Sequence, residues 1–373
     1  MIHRLIFVCL ILLAGGCATL EDLYDSFRYR PQQSVVPLEH RPVEEPLARN
    51  VFILSATEQS VVGEPQVVFT TNNDTLSDLA REYGLGYDEI IAANPGVNPW
   101  LPGENTPILL PTQYVLPDVP REGVVLNIAS KRLYYFPEPL AGQPARVMTY
   151  PIGIGRVGWE TPLGEAAVIA KATDPTWYVP ASVRKEHAEL GNPLPSVVPP
   201  GPDNPLGHRV LKLDMPGYLI HGTNQPYGVG MRVSHGCVRL YPENIEVLYE
   251  LVAIGEVVQI INEPYLLGRR DDHLFFEAHE PLEDDTVPVE ERFDTLFASS
   301  GNELSRHQKQ HVRAVASVAS GIPVIVDRFD ADEVLARARV VRNTVEVDPD
   351  NPTLIEVREM IDEAVREGRE ETL

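Results

Sequence analysis

Cysteine is scarce in this chain: three among 373 residues, at positions 9, 17 and 237. An oxidising compartment favours paired cysteines, and so few thiols exclude a disulfide framework. Cations are also short. Lys and Arg total 31 against 54 Asp and Glu, a formal net charge of −23. That balance argues against binding nucleic acid or docking electrostatically on anionic lipid. The apolar run LIFVCLILL, residues 5–13, is too short for an ordinary transmembrane helix. A hydrophobic fraction of 43% suffices for a packed core, and 373 residues exceed one ordinary domain, so two or three are expected.

The apolar run follows His3 and Arg4 and precedes Ala14-Gly15-Gly16-Cys17. This order resembles a bacterial lipoprotein signal, with Ala14 where leucine is usual. It predicts a signal peptide over 1–16 and lipidation of Cys17. Ordinary secretion with cleavage nearby is the alternative. Ala18 after Cys17 resembles lipoproteins sent on to the outer membrane, which implies the periplasm of a Gram-negative bacterium. A mature chain beginning at Cys17 carries one further thiol, Cys237.

Residues 17–64 lack periodicity and are rich in Pro, Glu and Arg, which predicts an extended tether. Residues 65–113 predict strand, helix, helix, strand: QVVFT from Gln66, LSDLAREYG from Leu76, YDEIIAANP from Tyr87 and PILLP from Pro107. From 120 to 263 the pattern is mainly β, with VVLNI from Val124, RLYYF from Arg132 and RVMTYPIG from Arg146 as strands. The apolar face of PENIEVLYELV predicts one helix from Pro242. Pro193 to Pro205 predicts an ordered loop beside the catalytic face. Residues 264–373 predict an acidic, appended α+β unit with helices from Ser305 and Leu354. His307 and His311 lie four apart in it, without the Glu of a zinc-hydrolase helix, so no metal site is expected.

The chemistry concentrates in YLIHGTNQPYGVGMRVSHGCVRLY, residues 218–241. A thiol is a good nucleophile only as thiolate, and an adjacent imidazole can generate one. His221 ends an apolar strand and His235 lies two residues before Cys237, so either ring is a candidate base. The N–H groups of Gly236 and Cys237 are candidate oxyanion donors.

HGTN from His221 and SHGCVRL from Ser234 resemble the signature of the L,D-transpeptidases, which remodel bacterial peptidoglycan. The similarity includes PIGIG from Pro151, TPLG from Thr161, PTWYVPASVR from Pro175 and PPGPDNPLG from Pro199. It implies a sandwich- or barrel-like β catalytic domain and a thioester mechanism needing no cofactor. By this resemblance Cys237 attacks the third residue of a wall tetrapeptide and D-alanine leaves. His221 is the general base, and His235 orients the site or helps the oxyanion. Arg239, Asn224 and Ser234 are candidate substrate-binding residues. Arg239 suits a substrate carboxylate, or else pins the loop to an acid, and Ser234 supports by hydrogen bonding. The acceptor amine is a second stem, a lysine of an outer-membrane protein, or is replaced by water in a hydrolase. DTLSDLA from Asp74 and IIAANPGVNP from Ile90 resemble a LysM module, which implies binding to wall glycan. A non-catalytic peptidoglycan-binding scaffold is the competing reading.

Overall fold

Every residue of the strands Gly123–Asn127 and Arg132–Phe136 is buried. Side chains alternate between the faces of a strand, so total burial means that both faces are covered. One face, carrying Val124, Leu126, Leu133 and Met148, packs with Ile220, Val238, Ile245, Leu248 and Val252. The other, carrying Val125, Tyr134, Phe136 and Val147, packs with Leu76, Leu79, Leu85, Ile90 and Leu110 of the 66–110 region.

The computed structural model describes residues 37–341, apart from 48–49, 56–58, 140, 300–303 and 327–332. The expected signal peptide, Cys17 and the helix from Leu354 lie outside the described residues. Everything below belongs to the unit that begins at Pro42.

The main sheet has nine strands. Their spatial order is Val51–Ile53, Arg146–Pro151, Arg132–Phe136, Gly123–Asn127, Val257–Ile261, Gly164–Thr173, Arg209–Leu213, Leu219–His221 and Val238–Arg239. Two neighbouring pairs are parallel, Gly123–Asn127 with Val257–Ile261 and Leu219–His221 with Val238–Arg239; the others are antiparallel. Gly164–Thr173 serves two partners. Its first four residues pair with Val257–Ile260, and its second part pairs with Arg209–Leu213 across a register shift between Val168 and Ala170. Such an irregularity bends the sheet and re-aims the strands beyond it. Those strands carry the catalytic motif. The helix Pro242–Leu251 covers the same stretch, with Ile245 and Leu248 fully buried.

The 66–110 region runs strand Gln66–Phe69, helix Leu76–Glu82, helix Tyr87–Ala93 and strand Pro107–Leu110. Thr75 caps the first helix by accepting the Asp78 N–H at 3.1 Å. This region does not hang from the catalytic sheet as a separate bead. It supplies the cover for the sheet's second face, and a buried cation clamps the contact. Arg132 meets Glu89 at 2.5 Å, Thr149 Oγ1 at 3.2 Å and the Gly84 carbonyl at 3.4 Å, with its guanidinium 4.1 Å from the Tyr114 ring centre. Backbones also touch across the contact. A Cβ on Gly230 (φ +84°) would lie 2.3 Å from the Gly86 Cα, so both positions need glycine.

Two expectations change. Part of the expected 17–64 tether is strand instead. Val51–Ile53 is the edge strand of the main sheet and Val61–Gly63 pairs with Gln113–Val115. Val61 and Val62 are buried, and runs this short are hidden in a proline-rich composition. The region after 264 is not simply appended. The hairpin Tyr265–Arg270/His273–Ala278, together with Val324–Ile325, forms a sheet against the helices Val289–Ser299 and Arg306–Ala316. The chain then returns, and Arg339–Val340 adds a parallel strand to Gln66–Phe69. Of the two spaced histidines, His311 is buried and its Nδ1–H donates to the Val326 carbonyl at 3.0 Å.

Candidate active site

Cys237 occupies the turn between the strands Arg232–Ser234 and Val238–Arg239. The parallel register pairs Ile220 with Val238 and His221 with Arg239. Paired residues share a face and neighbours along a strand alternate. Ile220 and Val238 therefore enter the core, while His221 and Arg239 project to the opposite side, and the Arg239 cation acts on both the His221 ring and the Cys237 thiol. Strand pairing thus brings together three groups that are up to 18 residues apart in sequence.

The imidazole of His221 is buried, and its Nδ1–H donates to the Gly222 carbonyl at 2.6 Å. A carbonyl only accepts, so Nδ1 bears the proton and Nε2 is the basic nitrogen. Burial pushes the His221 pKa down to about 3, with Arg239 adding to the drop and the Gly222 and Leu206 carbonyls opposing it. Burial also pushes the Cys237 thiol up, against the Leu219 amide and the Arg239 cation. The resting pair is a neutral thiol and a neutral imidazole. Sγ donates to the Gly217 carbonyl at 3.6 Å.

Arg239 is held below its ordinary pKa by burial. Its Nε is buried without a hydrogen-bond partner, and among the described residues no carboxylate pairs with it. It does not pin the loop to an acid. A cation so placed lowers the cost of a thiolate and is open to an incoming carboxylate.

The turn is fixed by two hydroxyls. Ser234, 1% exposed, donates to the Cys237 carbonyl at 2.5 Å and accepts the Gly236 N–H at 3.2 Å. Thr161 donates to the Gly236 carbonyl at 2.9 Å and accepts the Gly155 N–H at 3.1 Å. These contacts correct two expectations. Ser234 is sealed into the turn, with its proton and one lone pair already used there. The Gly236 N–H is already taken, which leaves the Cys237 N–H as the turn's available oxyanion donor. Gly236 matters for shape: its φ is +99°, and a Cβ there would lie 2.8 Å from the Tyr218 ring. Asn224 is exposed, and its Nδ2 donates to the Pro202 carbonyl at 3.2 Å. It ties the loop after His221 to the proline-rich segment and in this structure serves the loop itself.

His235 stands on the other side of the turn. Its Nε2 lies 2.8 Å from Glu186 Oε2 and 3.2 Å from Arg156 Nη2, and Trp159 packs edge-on with ring centres 4.8 Å apart. Arg156 also meets Glu186 Oε1 at 2.5 Å. Burial lowers the His235 pKa, Glu186 opposes that shift, and Arg156 and Arg239 reinforce it. Glu186 and Arg156 escaped the sequence reading. Glu186 follows the quoted PTWYVPASVR by two residues, and the helix Ala181–Glu189 buries only Val183, so no periodic signal marks it.

The start of the catalytic strand is anchored from the C-terminal region. Arg232 binds Asp284 through two hydrogen bonds of 2.9 and 2.8 Å, giving one acid of the C-terminal region a definite partner.

A family model described as the L,D-transpeptidase catalytic domain (YkuD) matches residues 121–260. The probable L,D-transpeptidase YcfS of Escherichia coli (strain K12) is 37% identical over 293 residues, covering 76% of this chain and 90% of that protein. The probable L,D-transpeptidase ErfK/SrfK of Salmonella typhimurium is 41% identical over 226 residues, 60% of this chain and 72% of that protein. Among solved structures, an L,D-transpeptidase from Mycobacterium smegmatis aligns with 38% of this chain and 58% of its own, at 22% identity and a TM-score of 0.26. Identity at more than a third of positions over nine-tenths of YcfS, with a catalytic-domain match that includes the Cys237 turn, places this chain in the L,D-transpeptidase family.

Proposed function

We propose that this protein is a cysteine-dependent L,D-transpeptidase of the bacterial envelope, acylated by the tetrapeptide stem of peptidoglycan with loss of D-alanine. The observation that carries the reading is the Arg239 cation, paired in register with His221 and acting on the Cys237 thiol, beside a His221 ring whose Nδ1 is committed to a carbonyl. Because thiol and imidazole are both neutral at rest, the proton moves from sulfur to Nε2 as the C–S bond forms. The Cys237 N–H stabilises the oxyanion, a contribution of about 3–4 kcal/mol per donor in well-studied enzymes. The imidazolium then protonates the departing amine of D-alanine. Arg239 pairs with a substrate carboxylate. An amine attacks the thioester, the C–N bond forms, the C–S bond breaks, and the thiol is restored.

The acceptor is a diamino-acid side chain of a second stem or a lysine of an outer-membrane protein. Residues 66–112 bind wall glycan. Their strand–helix–helix–strand order and the half-exposed Trp100, 6.2 Å from the Tyr87 ring, support that role. Lipidation of Cys17 anchors the enzyme in the periplasm.

Intact-mass spectrometry of the protein incubated with a disaccharide tetrapeptide tests the reaction. The expected result is a stem adduct on Cys237 with release of D-alanine, both lost in Cys237→Ala. Release of D-alanine by Cys237→Ala would overturn the assignment.

A further inference from the structure

We propose that Glu186 is a positioning residue of this enzyme, whose carboxylate fixes His235 as the Nε2–H tautomer and leaves Nδ1 as the ring's proton-accepting nitrogen. The geometry decides the tautomer. Nε2 of His235 lies between a group that only accepts, Glu186 Oε2 at 2.8 Å, and one that only donates, Arg156 Nη2 at 3.2 Å. The carboxylate contact is shorter, and Arg156 is itself satisfied by the other oxygen of the same carboxylate at 2.5 Å. One carboxylate therefore accepts from both neighbours, and Nε2 must carry a proton.

A ring so held can accept through Nδ1 but, while neutral, cannot donate to an oxyanion. This separates it from His221, whose proton sits on the opposite nitrogen. His235 is thus assigned the acceptor side of the site. Glu186 acts through it as the buried carboxylate acts through the histidine in a serine-protease triad, by holding the ring and its tautomer. The groups facing His235 come from three elements. Glu186 and His187 belong to the helix Ala181–Glu189, Arg156 and Trp159 to the loop after Ile154–Gly155, and Arg239 to the strand after Cys237. Glu186 is the one anion among them. Its carboxyl is held below the usual carboxylate range by its hydrogen bond to Arg156 and then by that to His235. Both hydrogen bonds favour its charged form.

The test uses the full chain labelled with 15N-histidine, with long-range proton–nitrogen spectra of the rings recorded across pH. In the wild type, His235 shows a protonated Nε2 and an unprotonated Nδ1. In Glu186→Ala the tautomers mix, and thioester formation falls about tenfold to a hundredfold, the range for losing an orienting partner of a histidine. Glu186→Gln keeps an acceptor oxygen, so it retains the Nε2–H signature and most of the rate. Its His235 titration moves to lower pH because the charge that favoured the imidazolium is gone. An unchanged tautomer in Glu186→Ala overturns the proposal, as does a Glu186→Gln variant no better than alanine. Should the alanine variant fail to fold, wild-type and glutamine spectra decide the matter. The kinetic arm rests on the transpeptidase reading and the spectra do not. A Nε2–H signature without any thioester would sink the reaction alone, and an active enzyme with an unprotonated Nε2 would sink the dyad alone.

Discussion

The floor and the rim of the Cys237 site use the same residue type in opposite ways. On the floor, His221 is buried at the end of a core strand, meets a carbonyl, and has an arginine as its charged neighbour. On the rim, His235 is partly exposed and sits in a cluster with Glu186 and Arg156. Burial, reinforced by Arg239, keeps the floor imidazole neutral over the physiological range. The rim imidazole is set by burial and by opposing charges from Glu186 and Arg156, which a substitution or a shift of one helix would change. A general base beside a nucleophile benefits from a fixed state, whereas a group that meets variable partners benefits from an adjustable one.

The sharpest break of this contrast is to remove each ring in turn. His221→Ala is expected to slow thioester formation by roughly 10⁴-fold, because the proton acceptor for sulfur is lost. His235→Ala is expected to cost roughly 10²-fold, the scale of misplacing reacting groups without deleting the base. Quenched-flow mass spectrometry of the adduct measures both. Equal losses would erase the division between floor and rim.

The next effect is on stability. His221 titrates at about 3 in the folded chain, against 6.5 for the ordinary residue. Between those values the unfolded state binds the extra proton, so acid favours unfolding. Stability is then constant above pH 6.5 and falls toward pH 3 by up to about 1.4 kcal/mol per unit from this group. Urea melts of wild type and His221→Gln at pH 7 and 5 isolate the contribution, since glutamine removes it. The rim ring, partly exposed and beside a carboxylate, should contribute a shallower slope. Identical pH dependence in His221→Gln and wild type would mean that the floor is wetter than its burial indicates.

Much of the floor was legible in the sequence and little of the rim was. HGTN and SHGCVRL carry the nucleophile, both histidines and the arginine within 19 residues, 221–239, and the strands that set their register are strongly apolar. The helix from Pro242 follows from its spacing of Ile245, Leu248 and Leu251. Glu186 lies 49 residues from His235 and Arg156 lies 79 away. Their helix and loop are polar and exposed, so no periodicity points to them. The direction of the Gly236 N–H depends on a left-handed backbone and on the Ser234 hydroxyl, neither of which a motif displays. The second covered face of the sheet also escaped notice. A strand buried on both faces reads as a plain apolar run, and nothing in it says which partner lies on which side.

The smallest expected effect concerns the hydroxyl that joins floor to rim. Thr161 holds the Gly155 N–H, at the base of the rim loop, and the Gly236 carbonyl, in the catalytic turn. Thr161→Val keeps the shape but leaves a buried donor and a buried acceptor unpaired, at a cost of about 1–3 kcal/mol. Thr161→Ser keeps the hydroxyl and should recover most of the loss in thermal melts. If the two sides share one frame, the valine variant will also slow thioester formation and broaden the His235 ring signals while leaving those of His221 sharp. If they are independent, stability will fall with no change at either ring. Thr161 would then be a packing residue, and the turn would owe its shape to Ser234 and Gly236 alone.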